Sequence, residues 1–165
     1  TTLWWKIPPT EILPVQLGIT DCHRIIYQSE RFTANNYNDL HETCMDWLTS
    51  SIQESVAKHK IVVTHHCPTM RFVDPRFITS NVNSAFCINL DKFIENSDIE
   101  YWIFGHTHYN GGSGTYIGNT LLLCNQLALT QLGYTESTTD KSGSNGYTKY
   151  GENKSFLKGC YIEIK

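Results

Sequence analysis

Four of the seven histidines fall in two short groups, His65-His66 and His106-Thr107-His108. Neutral imidazole coordinates Zn, Fe, Mn, Ni or Co, so the chemistry these residues suggest is metal binding. Each group follows a short apolar run: Ile61-Val62-Val63 before the first, Tyr101-Trp102-Ile103-Phe104 before the second. Runs of this length and composition read as buried strands, and an amphipathic helix is expected between them. A strand–helix–strand unit places its two strands in parallel, with a right-handed crossover. Ligands of such sheets bind beyond the carboxyl ends of the strands, where both histidine groups would then meet. Residues i and i+2 of an extended segment point to one side. His106 and His108 are therefore expected to face the same way, with Gly105 easing the turn out of the sheet.

The elements that must position these residues are legible in part. Residues 2–7 read as a strand stopped by Pro8-Pro9, and residues 15–19 and 24–27 as two further short strands. Tyr37, Leu40, Cys44, Trp47, Leu48, Ile52 and Val56 recur at spacings of three and four, which predicts a helix. Thr33, with Asn35 or Asn36, caps its start, and it should end near Lys58-His59. Residues 69–83 read as a loop. A second helix should follow, capped by Ser84 and packing Phe86, Leu90, Phe93 and Ile94. Gly118-Asn119 joins 115–117 to 121–124 as a hairpin. Residues 135–154 read as a long surface loop. Cys160, Ile162 and Ile164 mark a closing strand. The fold class is α/β, a mixed β-sheet with flanking helices.

The 165 residues suffice for one domain. A net charge of −3 and a pI near 6.1 argue against general nucleic-acid binding. No apolar run approaches the ~20 residues of a membrane span. Six scattered cysteines form no CxxC pair, which fits reduced thiols and a cytoplasmic setting, with disulfides left open. The Asn153-Lys154-Ser155 sequon does not decide the compartment. The opening residues, Thr1-Thr2-Leu3, read as an internal or processed start.

The segments Ile61-Val62-Val63-Thr64-His65-His66-Cys67-Pro68 and Tyr101-Trp102-Ile103-Phe104-Gly105-His106-Thr107-His108 resemble the calcineurin-like metallophosphoesterase family. The second matches that family's terminal Gly-His-x-His motif. Thr2-Leu3-Trp4, the helix carrying Leu40-His41, and the tail from Gly133-Tyr134 also fit. The resemblance spans most of the chain but only the carboxyl-terminal half of the family's domain. It implies that residues 1–165 form half of a four-layer α/β/β/α sandwich.

It further implies hydrolysis of phosphoric esters by a dinuclear centre of two divalent metal ions, drawn from Mn, Fe, Zn or Ni. His65 and His106 would hold one metal and His108 the other. His66 would contact the substrate or support the ligands. The family's Gly-Asp-x-x-Asp and Gly-Asn-His motifs are absent from this sequence. No catalytic residue is therefore assigned, and the chain alone is expected to bind metal weakly and hydrolyse little. A homodimer, or a partner supplying the amino-terminal half, is expected to complete it. The alternative is a non-catalytic scaffold or partner-binding module.

Other residues carry weaker signals. Asp21-Cys22-His23 echoes the family's Asp-x-His motif but precedes the long helix, where that motif does not belong. His41 reads as a buried structural histidine, and His59 as a helix-end residue. Cys67 is a poor ligand for a hard phosphoesterase centre. Arg71 and Arg76 could meet a phosphate, although solvated positions are the commoner outcome. Tyr109 and Asn110 could line a cleft. Trp4, Trp5, Trp47 and Trp102 are expected in the core.

Overall fold

A computed structural model describes residues 1–126 and, as backbone only, two short strands beyond them. The element order is α1 (Ile12–Gly18), α2 (Asp21–Arg24), β1 (Ile26–Tyr27), β2 (Glu30–Arg31), α3 (Ala34–Glu54), β3 (Ile61–Val63), α4 (Asp91–Glu95), β4 (Tyr101–Ile103), β5 (Thr115–Ile117) and β6 (Thr120–Leu123). The last two, β7 (Ser137–Thr139) and β8 (Asn145–Tyr147), pair antiparallel within the stretch expected to be loop. The closing strand predicted at Cys160–Ile164 lies outside the described residues.

The long helix forms as its periodicity demands. Thr33 accepts from the Asn36 amide while the Asn36 side chain accepts from Thr33, a reciprocal cap that satisfies two otherwise orphaned donors. Tyr37, His41 and Leu48 face inward, spaced by four and seven. The helix ends at Glu54, short of Lys58-His59, and Val56 is fully exposed. Trp47 is 57% exposed, against the expectation that it packs in the core.

The sheet is mixed, in the order β3-β4-β6-β5. β3 and β4 are parallel, β4 and β6 are parallel, and β5 returns antiparallel to β6. The turn between β5 and β6 puts Gly118 at φ 57, and a Cβ there would meet the Glu95 backbone at 3.0 Å. Register decides the two faces. Val62, Trp102 and Leu122 align across three strands and are buried, with Ile94 and Ile99 in the same core. Ile61, Tyr101 and Leu121 align on the opposite face, as do Val63, Ile103 and Leu123. That face is partly open: Val63 is 57% exposed, so β3 is not the buried strand its composition suggested. A groove of ≈ 430 Å³ runs beside it, lined by Thr1, Trp47, Ile61 and Val63 among others.

Other expectations fail for identifiable reasons. Residues 2–7 bury Leu3, Trp5 and Ile7 alternately, as a strand would, but form no ladder. Their backbone groups bond to side chains instead. The Ile7 amide donates to Asn38 Oδ1, and the Trp4 carbonyl accepts from His41. Residues 15–19 fall in or beside α1, because Ile12, Val15 and Ile19 recur at three and four rather than two. Residues 24–27 divide between the end of α2 and β1, whose hairpin turns through Gln28 and Ser29 at positive φ. The second helix shrinks to α4. The chain before it is drawn out beside the β3 loop, with Cys87 bridging Cys67 and the Ile88 amide donating to the Cys67 carbonyl. Ser84 caps no helix there; its hydroxyl donates to Glu11.

Candidate metal centre

The β3–β4 ladder continues past both strands and carries the histidines with it. The Thr64 amide donates to the Ile103 carbonyl at 2.9 Å, and the Gly105 amide to the His65 carbonyl at 3.0 Å. The two histidine groups are thereby fastened side by side at the carboxyl rim of parallel strands. His65, His66 and His106 each offer a nitrogen within 4.8 Å of the other two. His65 Nε2 and His106 Nδ1 are 3.0 Å apart.

His66 is held from behind. Its Nδ1 donates to the Thr2 and Leu3 carbonyls at 2.9 and 2.8 Å, which fixes that nitrogen as N–H and leaves Nε2 with a free lone pair. Leu3 can present its carbonyl because its φ is 56, the departure that also stops residues 2–7 from being a strand. The Trp5 ring covers His66 at 4.4 Å between centroids, and the residue is 3% exposed. His106 stacks on Phe86 at 5.3 Å. Its Nε2 is sealed from solvent and has no hydrogen-bond partner among the described residues.

The left-handed turn leaving β4 falls on His106 (φ 71) and His108 (φ 53), not on Gly105. Each such residue costs on the order of 1 kcal/mol unless its surroundings impose it. The segment is therefore not extended, and the i, i+2 argument for a shared side loses its premise. His108 lies outside the three-histidine group. It is still near enough for a charge on it to disfavour protonation of His65 and His106.

Burial pushes His66 down to about 4, assisted by His65 and opposed by the two carbonyls. His106 is pushed down to about 3, first by burial and then by His66, His65 and His108; the Ala85 backbone opposes this weakly. His65 is lowered by burial and His108, while Asp21 pulls it upward. Neutral imidazoles at neutral pH are the form that ligates. The same depression fixes a pH dependence for the metal-free chain. The unfolded histidines take up protons below about pH 6.5, which the folded ones refuse until about 4 and 3. Stability should therefore be complete above pH 6.5 and fall as pH drops through that window. The loss is roughly 3 kcal/mol by pH 4 for His66 alone. Urea midpoints at pH 7.5 and 4.5 read the change, and equal midpoints contradict it.

The remaining candidates are placed as follows. Asp21 accepts from the Tyr37 hydroxyl at 2.9 Å, and it is near enough to His65 to act on it. His23 bonds the Leu17 carbonyl. His41 is buried on the Trp4 carbonyl, and His59 pairs with Glu100. Cys67 is buried, with its thiol raised by burial and donating to the Thr69 carbonyl. Arg71 pairs with Asp91, and Arg76 with Asp74. Asn110 bonds reciprocally to the Gln126 backbone. Gln126 escaped the sequence reading. Its one signal is a polar pair, Asn125-Gln126, directly after β6, the third strand ending at the same rim.

The chain is 29% identical over 145 residues to an uncharacterized protein, L509, of Acanthamoeba polyphaga mimivirus. That alignment takes in 81% of this chain and 49% of the relative, so the chain spans about half the relative's length. No family model and no solved structure matches. Among the described residues no helix is long and apolar enough to cross a membrane.

Proposed function

We propose that this chain supplies imidazole ligands to a divalent metal centre that hydrolyses phosphoric esters, as half of a metallophosphoesterase sandwich. The observation that carries the reading is the convergence of His65, His66 and His106 at one rim, with a buried His106 Nε2 that has no hydrogen-bond partner among the described residues. A buried polar atom without a partner costs about 1–3 kcal/mol, and a metal ion would use it. The donor set fits: neutral imidazole suits Zn, Mn, Fe or Ni.

His65, His66 and His106 would hold the first ion, with His66 locked by its two carbonyl bonds. His108 is assigned to the second ion. This places His66 as a ligand or as support behind one, ahead of the substrate contact that the resemblance left open. When bound, the ions would polarise a phosphoryl oxygen and activate water. The chain's part is to fix the imidazoles as neutral donors and to keep solvent off their inner sides with Trp5 and Phe86. Among the described residues the carboxylate that acts on the group is Asp21, so charge compensation must come from elsewhere. Metal binding by the chain alone is accordingly weak.

The open apolar sheet face, with Ile61 and Val63 at its edge, supports a partner layer: a second copy or the family's other half-domain. The same face is what a non-catalytic, partner-binding reading would use. A cytoplasmic setting belongs to this proposal, and five free cysteines among the described residues fit it. The test is turnover of p-nitrophenyl phosphate and its bis ester with Mn²⁺, for the chain alone and for the longest natural polypeptide that carries it. Activity is expected in the longer form and negligible in the chain. A longer form that binds metal and turns over no ester overturns hydrolysis in favour of the scaffold.

A further inference from the structure

One side chain meets the H-x-H turn at three points. Gln126 is 7% exposed, and both ends of its amide bond to this turn. Its Oε1 accepts from the His108 amide at 2.7 Å. Its Nε2 donates to Thr107 Oγ1 and to the Tyr109 carbonyl, both at 2.8 Å. The backbones are tied as well, since the Gln126 amide donates to Asn110 Oδ1 and Asn110 Nδ2 donates back to the Gln126 carbonyl. Just upstream, the Ser113 hydroxyl bridges the Cys124 amide and carbonyl. These contacts fasten residues 107–113 to the end of β6, which is parallel to β4 and ends at the same rim.

The turn needs such a fastening. His106 and His108 both hold left-handed backbone that a side-chain-bearing residue leaves when released. His106 must keep that conformation for its ring to stay against His65, His66 and Phe86. We infer that Gln126 is a positioning residue: it clamps the backbone of the H-x-H turn and so holds the His106 imidazole on the metal-binding group. The ligand part of this inference rests on the metal reading above; the clamp itself does not. Glutamine suits the task because one planar amide accepts from one strand of the turn and donates to two other points. A carboxylate only accepts, an ammonium only donates, and a hydroxyl has a single proton for the two acceptors.

The test compares the wild-type chain with Gln126→Met, which keeps length and volume and removes all three side-chain bonds. Thr107→Val, which removes one of them, serves as a milder variant in case the first folds poorly. Zn²⁺ affinity, the visible spectrum of the Co²⁺ complex, amide exchange at His108 and the ring nitrogen shifts of His106 are measured, with thermal midpoint as control. Gln126→Met is expected to bind Zn²⁺ 10- to 100-fold more weakly, the usual range for groups that orient ligands, and to change the Co²⁺ spectrum. Thr107→Val should fall between it and wild type. In the metal-free chain His108 exchange should accelerate and the His106 ring signals should move. Zn²⁺ affinity within twofold of wild type in a folded Gln126→Met chain overturns the inference. A wild-type chain that binds neither ion overturns the metal reading instead. The clamp is then judged on the metal-free signals, and unchanged His108 exchange and His106 shifts overturn it.

Discussion

His106→Leu is expected to abolish stabilisation by metal while leaving the metal-free chain as stable as wild type to within about 1 kcal/mol. The two halves of this outcome have one cause. In the metal-free protein His106 Nε2 is buried with no hydrogen-bond partner among the described residues, so removing it recovers a desolvation cost on the order of 1–3 kcal/mol. Against that stand the lost hydrogen bond between His106 Nδ1 and His65 Nε2, a looser fit beside Phe86 and a leucine at φ 71, which offset much of the gain. An ordinary core histidine would behave differently, because its nitrogens would be hydrogen-bonded and its replacement costly. His41, tied to the Trp4 carbonyl, is the internal control for that behaviour. Metal at a hundred times its dissociation constant stabilises a folded protein by about 2.7 kcal/mol. That corresponds to roughly 5–10 °C in a domain of this size. Thermal melts of both chains with and without Zn²⁺ make the comparison. A wild-type chain that gains nothing from metal, or a His106→Leu chain that gains as much, refutes the ligand role.

The parts of this site that depend on local pattern were legible in the sequence. The apolar runs before His65 and His106 and the helical turn between them were enough to place both groups on one rim, because parallel pairing follows from the crossover. The long helix was legible too, since six of the seven apolar residues that repeat its period lie within it and Thr33 caps it. What escaped was set by contacts distant in sequence. Nothing near Leu3 announces that its carbonyl will face His66, more than sixty residues on. The alternation of Leu3, Trp5 and Ile7 signals burial on one side, and it cannot say whether the backbone finds a strand or the side chains of α3. Residues 12–19 are apolar at both two- and three-residue spacings, so period alone misassigned them. The H-x-H turn was read as extended because it continues a strand, with Gly105 expected to make the turn, whereas the left-handed residues are the histidines themselves. Gln126, eighteen residues later, is one of the contacts that hold that conformation.

Trp102→Ala should be the most damaging single change in the described chain, costing about 3–5 kcal/mol and leaving little folded protein at 37 °C. Trp102 is fully buried at the centre of the sheet, between Val62 and Leu122 in register and edge-on to Phe93. The α4 side of the sheet cannot collapse around so large a void, since β3, β4 and β6 are fixed by their ladders. The residue also does something no apolar side chain could. Its Nε1 donates to Thr64 Oγ1 at 3.0 Å, and that hydroxyl donates to the His66 carbonyl at 2.8 Å. A relay thus runs from the core to the loop that presents His65 and His66. Trp102→Phe separates the two roles: most packing survives, the relay is broken, and the buried Thr64 hydroxyl loses its donor. The expected loss is smaller, about 1–3 kcal/mol for the orphaned group and the reduced volume together. Metal affinity should fall with it, because the Thr64 hydroxyl that anchors the His66 carbonyl is no longer fixed by the indole. Urea unfolding and Zn²⁺ titration of the three chains decide the matter. If Trp102→Phe matches wild type in both, the core and the histidine loop are not coupled through Thr64.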